Sequence, residues 1–241
     1  MCGRFFLISP FVAIAGEFGL SEGLIQLSPR PDITPGEEVA AVILSGPGNR
    51  SGQGKDQKET RLVRFRWGLV PSWAKDPSIG RKLFNARAET AAEKPSFRGA
   101  FRSRRCLVIA DGFYEWQKNG AAKTPYLIRL PSQKPFGLAG LYEKWVPPGP
   151  GAPEPIYTCT ILTLPANETL GPIHDRMPAI VPKEMHRVWL DPGTNRRDVL
   201  ISVLDAARAV RLEAIPSEGR AQGRRRANHP DTDEELGFPA K

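Results

Sequence analysis

The sequence predicts a single β-rich domain of the α+β class, followed by a polar tail. Short strand-like segments follow one another closely between residues 106 and 163, and turn sequences such as Asn119-Gly120 separate them. Helix-like segments are few and do not alternate regularly with the strands, which argues against a doubly wound parallel sheet. A chain of 241 residues without internal repeats can bury the core of one large domain. We therefore expect the domain at residues 1–215 and a flexible tail at residues 216–241.

The first part of the chain predicts one helix and two strands. Ser9-Pro10 is typical of an N-cap followed by a proline in the first helical turn, and this helix should end near Gly19. The segments that follow are a proline-punctuated extended loop, a strand, a polar glycine-rich hairpin loop and a second strand, at residues 29–35, 39–44, 45–60 and 61–65.

Most of the predicted strands lie in the second part of the chain. Turn sequences, Asp111-Gly112 and Asn119-Gly120, or a proline-rich loop at residues 146–155 separate these apolar runs. The predicted strands are Cys106–Ala110, Phe113–Gln117, Pro125–Leu130, Phe136–Tyr142, Tyr157–Thr163 and a closing strand at Val210–Ile215. The predicted helices are Phe97–Arg102, Pro182–Leu190 and Asn195–Leu204.

The composition is that of an ordinary globular protein, with 40% hydrophobic and 25% charged residues. No apolar run approaches the roughly 20 residues of a membrane span, and the N-terminus lacks a signal-peptide pattern, so we expect a cytoplasmic protein. Three cysteines do not suit a disulfide framework, and Cys106 and Cys159 lie in apolar runs that predict buried thiols. The sequence contains no CxxC or HExxH motif, so neither a metal nor a cofactor is expected.

The formal net charge of +8 belongs to the body of the chain. Residues 216–241 hold five basic and five acidic side chains, which sum to zero, whereas Lys94 to Arg105 contains five basic side chains and no acidic one. A basic body indicates an anionic partner, with nucleic acid as the first candidate. A solvated, arginine-rich surface explains the charge equally well.

The N-terminal residues Met1-Cys2-Gly3-Arg4 combine two nucleophiles if the initiator methionine is removed. The α-amine of Cys2 would titrate near pH ~8 and its thiol near ~8.5, so both would be available close to neutral pH. An amine and a thiol on adjacent carbons can convert an aldehyde into an imine and then into a five-membered thiazolidine. Taken alone, however, Cys2 is equally a cysteine at a loose terminus.

Three further residues are candidates for proton transfer or for orienting a reacting group. Strand alternation places Glu115 among aromatic neighbours, where desolvation would raise its pKa, although an edge-strand glutamate facing solvent is the simpler alternative. His174, in a Gly/Pro-framed loop, is a natural proton shuttle, or else a loop histidine bonded to Asp175. Asn85 orients a reacting group with its amide or caps the element that follows.

Trp67 and Trp73 flank a Gly/Pro turn. Two large aromatic residues beside a turn usually pack in the core. On a basic surface, an aromatic side chain can instead stack on a base of a nucleic acid.

Six motifs in order give the sequence a family resemblance. They are MCGR, WGLVPSWA, NARAET, RRCLVIADGFYEW, TCTILT followed by AN, and IHDRMP. The ordered set resembles the SOS response-associated peptidase (SRAP) family over residues 1–215. The resemblance implies barrel-like antiparallel sheets with a few peripheral helices.

The resemblance also implies a function: recognition of abasic sites in single-stranded DNA and a covalent thiazolidine link to the opened deoxyribose. Cys2 would be the nucleophile after autoproteolytic loss of Met1, Asn85 would hold the sugar, Glu115 would transfer protons, and His174 would assist ring opening. Hydrolase, protease and lyase-like activities belong to the same expectation. We expect a monomer that associates with the nucleoid when it is bound to damaged DNA.

The resemblance assigns DNA contacts as well. Arg4, Arg87 and Arg176 match arginines that grip phosphates, and Trp73 and Pro35 match positions where the strand is bent. One departure lies in Pro31-Asp32-Ile33, where the family pattern predicts an asparagine and this chain has Asp32. An acidic side chain there either repels phosphate or faces elsewhere.

Two alternative functions follow from the same residues. The chain is a thiol peptidase if Cys2 attacks peptides with His174 or Glu115 as base. It is a non-catalytic single-stranded DNA-binding module if Cys2 plays no part.

Overall fold

The computed structural model describes residues 2–20, 27–45, 58–120, 122–149 and 153–217. Most of the predicted hairpin loop at 45–60, part of the loop at 146–155 and nearly all of the predicted tail lie outside these residues. Among the described residues, no helix combines the length and apolar character needed to cross a membrane. In the same residues, no group of three or more His, Cys, Asp and Glu side chains is placed to hold a metal ion.

Strands dominate the described chain, which confirms the predicted α+β class. In chain order the strands are β1 (Phe5–Leu7), β2 (Arg30–Ile33), β3 (Glu38–Ser45), β4 (Glu59–Trp67), β5 (Asn85–Arg87), β6 (Arg105–Ala110), β7 (Gly112–Asn119), β8 (Ala122–Arg129), β9 (Phe136–Trp145), β10 (Ile156–Pro165), β11 (Arg176–Pro178), β12 (Ile180–Val181) and β13 (Glu213–Pro216). The helices are α1 (Phe11–Phe18), α2 (Ala88–Ala91), α3 (Arg98–Ser103), α4 (His186–Leu190) and α5 (Arg197–Arg208), with 3₁₀ turns at Pro77–Lys82 and Lys183–Met185.

The strands form two sheets. The first has the order β13-β8-β7-β1-β2 and is antiparallel throughout. In the second, β10, β4, β3, β6 and β9 follow one another and β9 pairs with β10, so the five strands close into a ring. The expected barrel-like arrangement is therefore present. Two of its pairings, β10 with β4 and β10 with β5, are parallel rather than antiparallel.

The main hydrophobic core joins this ring to the first sheet and to the helices. All six residues of β6 are buried, and Trp67 at the end of β4 is buried with its indole Nε1 donating to the Phe84 carbonyl at 2.8 Å. Cys106 and Cys159 are buried as predicted. Full burial stabilises each large apolar side chain by about 1.5–3 kcal/mol, so the ring is a rigid support for what is attached to it.

Asp111 joins the two sheets. The turn sequence Asp111-Gly112 separates two strands, as predicted, but these strands do not form a hairpin. β6 and β7 belong to different sheets, and Asp111 lies where the chain crosses between them. Its carboxylate accepts hydrogen bonds from the amides of Ile8 and Ser9 at 2.6 and 2.7 Å and from the Ser9 hydroxyl at 2.7 Å. The Ser9 hydroxyl is thus engaged away from α1, whose N-cap is Pro10. Asp111 therefore fixes the segment that follows β1.

Candidate active site around the N-terminal cysteine

Cys2 is buried, so the second residue of the chain is part of the folded structure. Cys2 is held in place because β1, the strand that begins three residues later, pairs with β2 on one side and with β7 on the other. Phe5 lies opposite Phe113, and Phe6 lies opposite Gly112. Beyond the assigned strand, the amide of Tyr114 donates to the Arg4 carbonyl at 2.9 Å. The alternative of a loose terminus is therefore wrong for the residues from Cys2 onward.

Asn85 contacts Cys2 directly. It begins β5, which runs parallel to β10, and its side-chain Nδ2 donates to the Cys2 carbonyl at 2.7 Å. Its Oδ1 is buried and has no hydrogen-bond partner among the described residues. Leaving a buried amide oxygen unsatisfied costs about 1–3 kcal/mol. Asn85 therefore holds the main chain of Cys2 and presents an acceptor to an incoming donor.

Glu115 is the buried carboxylate of the site. It lies on β7 and is only 3% exposed, so the alternative of a solvent-facing edge glutamate is wrong. Burial raises the pKa of the Cys2 thiol, and the negative charge of Glu115 raises it further. The thiol is consequently neutral at pH 7 and has a carboxylate as its neighbour.

His174 is connected to the same sheet through its loop. Gln117, which shares the inward face of β7 with Glu115, donates from Nε2 to the Pro172 carbonyl at 2.9 Å. The imidazole is about a quarter exposed, so it is accessible at the rim of the site. The fold thus brings the His174 loop against the strand that carries Glu115.

The Nδ1 atom of His174 has two neighbours that require opposite protonation. The amide of Arg176 lies 2.9 Å away and can donate only to an unprotonated Nδ1, whereas the Asp175 carboxylate at 2.8 Å can only accept from a protonated one. The Nδ1 atom therefore faces one donor and one acceptor. The arrangement includes the Asp175 contact that the sequence suggested as an alternative role.

Two of the predicted phosphate-binding arginines flank β10. Arg87 on β5 is exposed, opposite Thr163. Arg176 on β11 is only 12% exposed in its side chain; it binds the Glu89 carboxylate through two bonds of 2.5 and 2.9 Å and also reaches the Thr163 carbonyl at 2.5 Å. The ion pair lowers the pKa of Glu89. Arg87 is therefore the accessible cation, while Arg176 is held within the protein and cross-links β10 to α2.

Arg4 is held by the residue that departs from the family pattern. Its Nε lies 2.9 Å from Asp32 Oδ1, and its guanidinium lies 5.8 Å from the centre of the Trp116 ring. Because it contacts Arg4, the half-exposed Asp32 side chain faces this arginine, and the alternative that it points away is wrong. A carboxylate in contact with Arg4 competes with any phosphate for that guanidinium.

We predict that Asp32→Asn tightens binding of single-stranded DNA by about three- to ten-fold at low salt, because Arg4 loses a competing carboxylate and the phosphate loses a repelling one. The gain should shrink at higher ionic strength, since the pair is partly exposed. Fluorescence anisotropy over a salt series measures it. Asp205→Asn, on the exposed face of α5, makes the same change of net charge elsewhere; equal affinities for the two variants would show that Asp32 does not compete with DNA.

The structure separates the two tryptophans. Trp67 is in the core, whereas Trp73 is 59% exposed. Pro35 is half buried and lines a cavity of about 380 Å³ together with the exposed Arg66 and Arg81. Trp73 is thus available to a ligand, and Pro35 lies beside cationic groups.

Thr163, Glu89 and Asp111 are parts of the site that the sequence did not single out. The backbone and hydroxyl of Thr163 contact Arg176, and Glu89 is the carboxylate partner of that arginine. The NARAET motif contains Glu89, but nothing local indicates a partner 87 residues further along the chain.

The fold and the site together define a class of protein: a two-sheet domain in which the second residue is a buried cysteine whose carbonyl is bound by an asparagine amide, and in which a buried carboxylate lies on the neighbouring strand β7. The chain belongs to the SOS response-associated peptidase (SRAP) family, whose model matches residues 1–220.

Relatives share most of the chain. It is 43% identical over 218 residues to the abasic site processing protein YoqW of Bacillus subtilis, covering 89% of this chain and 91% of that protein. It is 38% identical over 185 residues to the abasic site processing protein HMCES of Gallus gallus, covering 67% of this chain and 54% of that protein. A crystal structure of a protein from Bacteroides thetaiotaomicron has a TM-score of 0.73 at 26% identity, covering 90% of this chain and 93% of that one.

Proposed function

We propose that the protein recognises abasic sites in single-stranded DNA and links to them covalently through Cys2, as a thiazolidine, after Met1 is removed. The observation that carries the proposal is the surroundings of Cys2: Cys2 is buried, its carbonyl accepts a hydrogen bond from Asn85, and the buried Glu115 lies on β7, the strand that pairs with the segment following Cys2. The names of the relatives, abasic site processing proteins, support the same lesion.

The proposed reaction joins one sugar carbon to two atoms of Cys2. The closed deoxyribose opens to an aldehyde with proton transfer assisted by His174. The α-amine of Cys2 attacks the aldehyde carbon, and the Glu115 carboxylate carries the two amine protons in turn to the oxygen, which leaves as water to give an imine. The thiol then adds to the imine carbon, and Glu115 carries the thiol proton to the imine nitrogen, so that Glu115 ends as the carboxylate it began as. The net change is two new bonds to carbon and the loss of one water.

The raised pKa of the Cys2 thiol agrees with this order of events. A neutral thiol is a poor nucleophile, so the amine reacts first and the sulfur closes the ring only once a reactive imine is beside it. Asn85 Oδ1, buried and without a partner among the described residues, is suited to accept a hydrogen bond from the amine or from a sugar hydroxyl.

We attribute the binding of single-stranded DNA to positive charge and to aromatic stacking. The net charge of +8, the exposed Arg87 and the exposed Trp73 provide phosphate contacts and an aromatic platform. An abasic site has no base to read, so sequence-specific contacts are unnecessary.

The test is to incubate the purified protein with single-stranded DNA that carries one abasic site. We expect a denaturation-resistant adduct whose mass equals protein without Met1, plus DNA, minus one water. An undamaged strand of the same sequence should give none. An active preparation in which intact mass shows Met1 retained would contradict the proposal.

Peptidase activity is the second candidate, because the family description contains that term and Cys2 follows a methionine that must be removed. The raised thiol pKa weakens it, since a thiol peptidase needs a thiolate. Turnover of an unrelated peptide, lost in Cys2→Ser, would favour this candidate instead.

A further inference from the structure

The basic stretch from Lys94 to Arg105 lies outside the candidate site around Cys2, and its side chains fall into two groups. Two of its arginines serve the fold: Arg104 pairs with Glu143 at 2.8 Å, and Arg105 is only 2% exposed. Lys94 before α3 and Arg98 and Arg102 on α3 are exposed. Arg98 and Arg102 are four positions apart, so they lie on the same side of α3.

Arg98 and Arg102 line a cavity of about 420 Å³ between α3 and α5, which we call the arginine cavity. Its principal lining residues are Arg98, Phe101, Arg102, Asn195, Arg197 and Leu200. Phe101 and Leu200 are buried and form an apolar floor, while the three arginines and Asn195 are exposed at the rim. Arginine forks over an apolar floor match a phosphate joined to a flat, largely apolar group.

Buried Arg105 holds the two walls of the arginine cavity together. Its guanidinium donates to five main-chain carbonyls, at 2.5–2.9 Å: those of Phe101 and Arg102 on α3, and of Trp189, Asp191 and Thr194 ahead of α5. Burial lowers the pKa of Arg105 to about 10, so it stays cationic at neutral pH. The cavity is thus fixed in shape before any ligand arrives, which lowers the entropic cost of binding.

The charges at the rim are only weakly compensated. Arg197 lies 2.7 Å from Glu93, and both side chains are more than half exposed. An exposed pair of this kind contributes little and is screened by salt, so Arg197 can exchange Glu93 for a phosphate. The lining of the cavity itself contains no acidic residue.

The arginine cavity is close to the lesion site along the chain. Ala92, which also lines it, is one residue beyond α2, and α2 follows Arg87 directly. At 1.5 Å per residue this is a distance of roughly 8 Å along the helix. Surfaces that bind single strands contact several successive nucleotides, so a strand that passes Arg87 can extend to the cavity.

We propose that the arginine cavity binds a nucleotide of the same single strand on one side of the lesion, with its phosphate on the arginines and its base on the apolar floor. The inference rests on the proposed binding of single-stranded DNA. It assigns Arg98, Arg102 and Arg197 to strand affinity and gives them no part in the Cys2 chemistry.

The test compares wild type with Arg98→Ala/Arg102→Ala, and with Arg208→Ala at the far end of α5 as the matched control. Three abasic strands of about 20 nucleotides carry the lesion centrally, near the 5′ end or near the 3′ end, and a fourth of about 4 nucleotides covers only the lesion. The affinity of each strand is measured over a salt series. Cross-linking rates are measured at saturating DNA, and thermal unfolding checks the fold.

We expect the double variant to bind the strand with the central lesion about ten-fold more weakly than wild type does. The same loss is expected for one of the two strands whose lesion lies near an end. The slope of log affinity against log salt should become shallower by about 1.4, because two phosphate contacts are lost. The 4-nucleotide strand and the saturated cross-linking rate should be unchanged. Equal affinities of the double variant and Arg208→Ala would overturn the proposal, as would an equal loss on short and long strands.

A lesion-free strand of about 20 nucleotides separates this proposal from the one on which it rests. The arginine cavity predicts the same ten-fold loss on that strand. Absence of cross-linking by wild type would refute the thiazolidine chemistry while the affinity comparison still decides the role of the cavity.

Discussion

A variant that keeps one uncleaved residue in front of Cys2 is expected to give no detectable cross-link, a loss of at least about 100-fold. The physical reason is that the amide so formed has no basic lone pair, and the first bond to the aldehyde cannot form. Affinity for lesion-free single strands should stay within about two-fold, because the arginines are untouched. Denaturing gels measure the adduct, and intact mass verifies the extension.

Cys2→Ala separates the amine from the thiol in the same experiment. Its α-amine can still form an imine, which borohydride should trap, but without sulfur the ring cannot close and no adduct should survive without the reductant. The extended variant should yield nothing under either condition. Cys106→Ala, which removes a buried core thiol, is the matched control and should cross-link like wild type. A stable adduct from Cys2→Ala without reductant would rule out the thiazolidine.

Glu115→Gln is expected to slow cross-linking by about 10²- to 10³-fold, because the amide can neither protonate the departing hydroxyl nor accept the thiol proton. The side chain keeps its size, so the fold should be retained. Single-turnover gel assays between pH 5 and 9 measure the rate. Glu38→Gln, an exposed carboxylate on β3, is the control and should change the rate by less than about two-fold.

A second measurement shows whether Glu115 acts at Cys2. The carboxylate raises the thiol pKa, so its removal should lower that pKa, and alkylation of Cys2 in the folded protein at one fixed pH should be faster in Glu115→Gln than in wild type. Mass spectrometry distinguishes Cys2 from the other two cysteines. A cross-linking rate within three-fold of wild type, together with unchanged alkylation, would remove Glu115 from the mechanism.

Much of the fold could be predicted from local sequence. The long strands are apolar runs bounded by turns, and the end of α1 at Gly19 is predicted by its glycine, which adopts a left-handed φ of 61°. The short strands β1, β5, β11 and β12 could not be predicted, because two or three residues carry no periodicity. They exist only because distant partners complete their hydrogen bonds.

The candidate site could likewise be predicted only in part from local sequence. Residue type, setting and family resemblance single out Cys2, Asn85, Glu115 and His174 as candidates, and their roles stay predictions. The contacts that decide their chemistry join residues far apart in the chain, such as Asn85 to Cys2, 83 positions away, and Gln117 to Pro172. The pairing of Arg4 with Asp32 was also invisible, since sequence showed an unusual aspartate but not its partner.

Asp111 fixes the position of Ile8 and Ser9, from which the N-terminal segment runs back to Cys2. Because its carboxylate fixes Ile8 and Ser9, the number of residues from that attachment to Cys2 determines where the cysteine lies. A strand advances about 3.3 Å per residue and alternates its faces. Loss or gain of one residue between Cys2 and Phe5 would therefore both displace the thiol and turn it to the opposite side of the sheet. In the proposed reaction, the spacing of this segment would matter as much as the identity of its cysteine.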